Sequence, residues 1–324
     1  MRRCLAIAAG VILILALLPW GVQTQTRAAN KEKIQIVTTI FPEYDWVLEV
    51  LGDAADRAEI TLLMDKGVDL HSFQPSAEDI MKVTTCDLFV YVGGASDDWA
   101  EDVLATAVNP DMQVIDLLET LGDAVKEEKL VEGMEAEEED AEDIEFDEHV
   151  WLSLKDAEIL VQSIADTLSA MDPDMAETYA ANAAGYLNKL DELDERYEAA
   201  INAAEKDTLL FGDRFPFRYL TDDYGLNYFA AFAGCSAETE ASFETIVFLA
   251  GKLNELGLSS VLTIDGSDQK IAQTIVENTK TRDQKILVLD SMQSTSLQDY
   301  EKGVTYLSIM EQNLHVLTEA LEMV

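Results

Sequence analysis

Two of the three histidines in this 324-residue sequence stand beside carboxylates in segments that predict loops. His71 lies two positions after an aspartate, and His149 directly follows Asp147 and Glu148. A third polar residue, Asp290, ends a short run of branched apolar residues. Imidazole nitrogen combined with carboxylate oxygen suits zinc, and also manganese or iron where oxygen predominates. These residues indicate a site for a divalent metal, although a loop histidine is more commonly just exposed to solvent.

Short β-branched segments alternate with segments of helical apolar spacing along the chain. The pattern predicts strands at 34–39, 60–64, 87–92, 114–117, 208–211, 226–229, 261–264 and 286–289. It predicts helices at 41–51, 77–83, 154–171, 175–204, 217–224, 243–256, 268–279 and 306–321. Such alternation is typical of mainly parallel sheets flanked by helices. The predicted fold class is therefore α/β, with two lobes joined by one long helix, and ligands bind beyond the carboxyl ends of strands in such sheets.

The chain divides into four predicted segments. A signal peptide covers 1–29, and an N-terminal α/β lobe covers 30–153 and contains an acidic loop at 127–148. Linking helices cover 154–205, and a C-terminal α/β lobe covers 206–324. A linking helix of about 30 residues would be about 45 Å long, enough to run across both lobes.

The first 29 residues have the features of a secretory signal peptide. Two arginines precede an apolar run from Leu5 to Leu18, and the small residues Ala28 and Ala29 follow. The run is shorter than the roughly 20 residues that span a bilayer. We therefore expect export to the periplasm or to the outer face of the cytoplasmic membrane, with an uncleaved anchor as the alternative. Cys4 precedes the apolar run, so it is not placed like a lipid-accepting cysteine.

The charge of the chain is strongly negative, with 63 acidic residues, 22 basic residues and a formal net charge of −41. Such a surface repels nucleic acid and anionic lipid and favours cations as small partners. Thirteen of the acids lie between Glu127 and Glu148, in a run without apolar periodicity that predicts a solvated loop. This loop is either a solubilising tract or a low-affinity collector that passes cations to His149.

Cysteines are too few for a disulfide framework. Cys86 and Cys235 fall in different predicted lobes, so we expect buried free thiols rather than a bridge. The sequence contains no Cys-x-x-Cys motif for a metal.

Four motifs carry a resemblance to a known family. They are the segments His71–Ile80, Asp147–Ser153, Phe217–Leu220 with Tyr224–Leu226, and Leu289–Ser291. They make the chain similar, over nearly its whole mature length, to the metal-binding solute receptors of bacterial ABC importers for zinc and manganese. The resemblance implies two lobes joined by a rigid helix. It also implies a metal held between the lobes by His71, His149, Asp290 and a third ligand shortly before Phe217.

Arginine occupies the position of that third ligand. Counting back three residues from Phe217 gives Arg214, where relatives have His or Glu, and a guanidinium has no lone pair for a metal. Asp213, one residue earlier, is our first candidate to replace it. The alternatives are a water molecule or another carboxylate, namely Glu148, Glu240 or Asp265.

The resemblance implies a receptor rather than an enzyme, with no catalytic residues, and the negative charge of the chain predicts no nucleic-acid partner. We expect a monomer that captures Zn²⁺ and delivers it to an ABC permease with a cytoplasmic ATPase. A manganese or iron receptor, or a surface adhesin or metal buffer, is the alternative. A zinc metallohydrolase is less favoured because no separate general base or substrate-pocket motif is recognisable.

Overall fold

A computed structural model describes residues 33–134, 146–236 and 240–322. The predicted signal peptide and the centre of the predicted acidic loop lie outside these ranges. The chain from Lys33 onward forms one compact unit. Within the described ranges, none of the helices has the length and apolarity needed to cross a membrane.

The N-terminal lobe contains a four-stranded parallel sheet. Its strands are β1 (Ile34–Thr38), β2 (Ala58–Leu62), β3 (Leu88–Tyr91) and β4 (Gln113–Asp116), in the order β2-β1-β3-β4. Its helices are α1 (Phe41–Leu51), α2 (Ala77–Thr85), α3 (Asp98–Leu104) and α4 (Leu117–Leu121). The strand order reverses direction between β1 and β3, and such a switch point leaves a crevice at the carboxyl ends of the strands.

Two long helices connect the lobes. Helix α5 (Leu154–Met171) is capped at its N-terminus by Ser153, whose side chain accepts the Asp156 N–H. It ends before the Asp172-Pro173 pair. Helix α6 (Ala176–Asn202) has 27 residues and is therefore about 40 Å long.

The C-terminal lobe repeats the parallel arrangement. Its strands are β5 (Thr208–Phe215), β6 (Asn227–Ala233), β7 (Ser260–Ile264) and β8 (Lys285–Leu289), in the order β6-β5-β7-β8. Its helices are α7 (Arg218–Asp223), α8 (Phe243–Leu256), α9 (Lys270–Glu277), α10 (Leu297–Glu301) and α11 (Tyr306–Ala320). The β5–β6 register shifts between Phe211 and Arg214, so an extra residue lies in β5 beside its carboxyl end.

One hydrophobic core extends through both lobes and the linking helices. The same cluster contains Ile36 of β1, Leu160 of α5 and Phe211 of β5. Hydrogen bonds close to the cleft join the same parts of the chain, because Trp151 Nε1 donates to the Ser291 carbonyl at 2.9 Å and the Tyr306 hydroxyl donates to the Trp151 carbonyl at 2.7 Å. The lobes are therefore packed onto a shared interior rather than joined by an exposed linker.

The predicted fold class is confirmed. Each of the eight predicted strands is present to within a few residues, and the bounds of α1, α5 and α8 coincide with those predicted from apolar spacing. The short helices α3, α4 and α10 were not predicted.

Candidate metal centre

His71 is positioned by the loop that follows β2. It lies in a turn of 3-10 helix, Leu70–Ser72, which Asp69 caps by accepting the His71 N–H at 3.0 Å. The imidazole Nδ1 is hydrogen-bonded to the hydroxyl of Ser96 at 2.8 Å, and Ser96 follows β3. This contact with the loop after β3 fixes the ring so that Nε2 faces the cleft.

His149 is fully buried at the end of the segment that returns from the acidic loop. Asp147 Oδ1 accepts both the His149 main-chain N–H at 3.0 Å and, at 2.9 Å, a hydrogen bond from the ring Nδ1. A carboxylate only accepts, so Nδ1 carries the hydrogen and the Nε2 lone pair is left for another partner. The ring also packs against Trp151, with 5.2 Å between centroids.

The two histidines meet in the cleft. Their Nε2 atoms are 3.1 Å apart and their ring centroids are 5.1 Å apart. A third residue joins them, since ligand atoms of His71, His149 and Cys235 all lie within 4.8 Å of one another. Two imidazoles and a thiol are donors that suit zinc, so the residues present fit this ion.

Arg214 stands at the same cleft but faces a carboxylate instead. Its Nη2 donates to Oδ2 of Asp69, which belongs to the opposite lobe. The Gln293 amide, from the loop after β8, lies between Asp69 and His149: one end lies 2.9 Å from Asp69 Oδ2 and the other lies 2.9 Å from His149 Nε2. Asp69 therefore neutralises the guanidinium within the cleft.

Asp213 and Asp290 lie outside the three-residue group. The Asp213 carboxylate accepts main-chain N–H groups from Arg214 at 2.9 Å and from Ile264 at 3.4 Å, which turns it toward β7. Asp290 follows β8 directly, and its Oδ1 accepts the Met292 N–H at 2.8 Å.

The three alternative carboxylates have different surroundings. Asp265 accepts from the main chain and hydroxyls of Ser291 and Ser294, whereas Glu240 is exposed. Glu148 is buried, and its Oε1 accepts the Ser96 N–H at 2.8 Å. Its Oε2 lies 3.6 Å from His71 Nδ1 and has no hydrogen-bond partner among the described residues.

Burial and neighbouring charges shift several pKa values here. Burial, with the charge of nearby Arg214, lowers the pKa of His71 to about 3, so the ring is neutral at pH 7. Burial would raise the pKa of Asp69, but hydrogen bonding and the charge of Arg214 outweigh it and lower that pKa. Burial raises the pKa of Glu148 and, together with nearby Asp265, raises that of Asp290 to about 7. The site thus holds a neutral His71 imidazole beside acidic groups that a cation would stabilise.

The base of the acidic loop lies beside this centre. Glu127 and Phe146 form an antiparallel bridge, and the Tyr219 hydroxyl accepts the Lys126 N–H at 3.0 Å while donating to the Asp147 carbonyl at 2.7 Å. The loop therefore leaves and re-enters the lobe next to His149. Its proposed collecting role concerns residues that the structure does not describe.

Comparison with known proteins identifies the family. The family described as the zinc-uptake complex component A, periplasmic, matches residues 36–320. The chain belongs to this family.

Individual relatives in the zinc-uptake family agree with the match. The zinc-binding lipoprotein AdcA of Streptococcus pneumoniae is 32% identical over 296 residues, covering 90% of this chain and 56% of AdcA. The high-affinity zinc uptake system protein ZnuA of Bacillus subtilis is 28% identical over 296 residues, covering 90% of this chain and 88% of ZnuA. The chain thus spans little more than half the length of AdcA but most of ZnuA.

A solved structure from the family has the same architecture. The Zn(II)-bound ZnuA-like domain of Streptococcus pneumoniae AdcA superposes with a TM-score of 0.70 at 30% identity, covering 90% of this chain and 99% of that domain. The predicted two-lobed arrangement with a long linking helix is therefore that of the zinc-uptake family.

Sequence reasoning missed several residues at the centre. Ser96, Gln293 and Cys235 come from loops far from the two histidines along the chain. Gly234-Cys235 directly follows β6, whereas the predicted strand ended at residue 229, so the sequence did not place Cys235 at the carboxyl end of a strand, where a parallel sheet presents ligands.

Proposed function

We propose that this protein is an extracytoplasmic receptor that captures Zn²⁺ between its lobes and delivers it to an ABC permease driven by a cytoplasmic ATPase. The observation that carries the proposal is the pair of imidazole Nε2 atoms, 3.1 Å apart, presented by His71 and His149. Both side chains are held from behind, by Ser96 and by Asp147, so the nitrogens converge before an ion arrives.

Zinc is the metal that this donor set favours. Manganese prefers carboxylate and carbonyl oxygen, whereas imidazole suits zinc. The names of the relatives agree, since AdcA is described as zinc-binding and ZnuA as part of a zinc uptake system. His71 and His149 are the ligands that we propose first, and Asp290 at the end of β8 is the carboxylate that the family resemblance adds.

A receptor of this kind must release its ion to a partner. The shared core of the two lobes, together with the Trp151–Ser291 and Tyr306–Trp151 hydrogen bonds, opposes a large hinge motion. We infer that loading and release depend on the loops at the cleft rather than on separation of whole lobes. The predicted export of the chain and its predicted monomeric state accord with docking to a membrane permease.

The proposal is tested by zinc titration in competition with a chelator of known affinity. The wild type should bind one zinc ion tightly, and His149→Ala and His71→Ala should each lower the affinity by at least about 100-fold, because each removes a ligand. His315→Ala is the matched control, since this third histidine is exposed on α11. Thermal melting of each variant verifies folding.

Two outcomes would refute the proposal. One is a wild-type protein without a tight zinc site. The other is a folded His71→Ala and His149→Ala pair that retains the affinity of the wild type.

A further inference from the structure

The family resemblance leaves one ligand position without a donor. Arg214 occupies it, and the guanidinium is engaged with Asp69 across the cleft. Asp213 next to it is turned toward β7 by its contact with the Ile264 N–H. A third protein ligand, if there is one, must therefore come from another part of the cleft.

Cys235 lies where such a ligand is needed. Its Sγ and one ligand nitrogen from each of His71 and His149 are mutually within 4.8 Å. Within residues 33–134, 146–236 and 240–322, these three side chains form a group that is compact enough to hold a metal ion. Cys86 is the other cysteine that the structure describes, and neither it nor Cys235 is in a disulfide within this part of the chain.

The approach of Cys235 to the histidines is built into the loop after β6. A Cβ atom on Gly234 would lie 3.0 Å from Cε1 and 3.2 Å from Nδ1 of His149, so only glycine lets the main chain pass this close to the ring. The Cys235 N–H donates to Oε1 of Glu128 at 3.2 Å, which ties the loop to the N-terminal lobe. Contacts on both sides therefore hold the thiol at the centre.

An independent feature indicates that a cation belongs here. Oε2 of Glu148 is buried beside His71, and it has no hydrogen-bond partner within the described chain. A buried carboxylate oxygen without a partner is costly unless positive charge is close to it. A divalent ion among His71, His149 and Cys235 would supply that charge.

We propose that Cys235 is a zinc ligand, forming with His71 and His149 a two-imidazole, one-thiolate site that replaces the donor lost at position 214. This inference rests on the proposed function as a zinc receptor. The thiol proton leaves to solvent as the sulfur binds the ion. A thiolate favours zinc over manganese, so Cys235 also determines selectivity, which two histidines and oxygen ligands alone would leave weaker.

Cobalt(II) substitution tests the sulfur directly, because thiolate coordination gives an intense near-ultraviolet charge-transfer band that imidazole and carboxylate do not give. Every protein is prepared with Cys4→Ser, which leaves Cys86 and Cys235 as the thiols of the chain. The parent should show the band, and Cys235→Ser should lose it and bind zinc at least about tenfold more weakly. Cys86→Ala is the matched control, since Cys86 is buried in the N-terminal lobe, and it should keep both properties.

A rescue variant separates ligation from packing. Cys235→His should recover much of the zinc affinity without the charge-transfer band, because it returns a nitrogen donor to the site. Asp290→Asn and Asp213→Asn should keep the band.

The inference is overturned if the parent binds one zinc tightly but shows no sulfur band, or if Cys235→Ser keeps the parent's affinity. In either case the receptor function stands, whereas absence of tight zinc binding in the parent would refute that function itself.

Discussion

Replacement of Gly234 by alanine should weaken zinc binding, because the added methyl group has no room beside His149. The new Cβ would lie 2.9 Å from the Phe215 carbonyl oxygen and 3.0 Å from His149 Cε1. Ordinary van der Waals contacts of a Cβ lie at 3.4–4 Å. The imidazole cannot retreat, since it is fully buried and held by Asp147 and Trp151. The loop that carries Cys235 must move instead.

The size of the effect follows from these contacts. A displacement of several tenths of an ångström at a packed position costs about 1–3 kcal/mol. Each 1.4 kcal/mol that falls on the metal-binding conformation changes affinity about tenfold. We therefore expect zinc affinity to fall by about tenfold or more, together with a lower melting temperature of the metal-free protein.

Gly185→Ala is the matched control for this substitution. Gly185 lies inside α6, and a Cβ there would meet nothing within 4 Å. Alanine should stabilise the helix by about 0.5–1 kcal/mol and leave zinc affinity unchanged. Both variants are measured by chelator-competed zinc titration and by thermal melting without metal. A Gly234→Ala protein with the affinity and melting temperature of the wild type would show that the loop does not approach His149 as described.

Two further predictions concern carboxylates. Burial raises the pKa of Asp45 from 3.8 to about 7, so the folded state retains a proton that the unfolded chain releases, and stability falls by about 1.4 kcal/mol per pH unit between about pH 4 and 7. Asp45→Asn should flatten the plot of melting temperature against pH over this range. Asp102→Asn, at an exposed position, should leave the slope of that plot unchanged. Asp69→Asn should cost about 1–3 kcal/mol and lower zinc affinity about tenfold, because it leaves the Arg214 charge unpaired in the cleft. Adding Arg214→Gln should restore affinity in the same titration, and an unaffected Asp69→Asn protein would contradict the argument.

Much of the fold was predictable because local patterns and tertiary packing agree. Helix α5 has a serine cap at one end and Asp172-Pro173 at the other, and its apolar face is buried against the core. The missed helices α3, α4 and α10 have only seven, five and five residues, and segments this short give apolar spacing little room to show. The six-residue helix α7 was nevertheless predicted, so length alone does not separate the helices that sequence could predict from those it could not.

The centre was only partly predictable because its residues converge by topology. His71 and His149 were identifiable from residue type beside carboxylates. Cys235 was not, since the loop after β6 reaches the cleft only through the order of strands in the C-terminal sheet and the close passage that Gly234 allows. One-dimensional spacing carries no information about either condition.

Arg214 and Cys235 both change the charge of the metal site. An arginine in place of a histidine or glutamate ligand removes a donor and adds a positive charge to a site for a cation. Asp69 cancels that charge through its ion pair with Arg214. The thiolate of Cys235 would restore a donor and contribute one negative charge to the cation site. The arginine and the cysteine therefore form one compensated change in the ligand set.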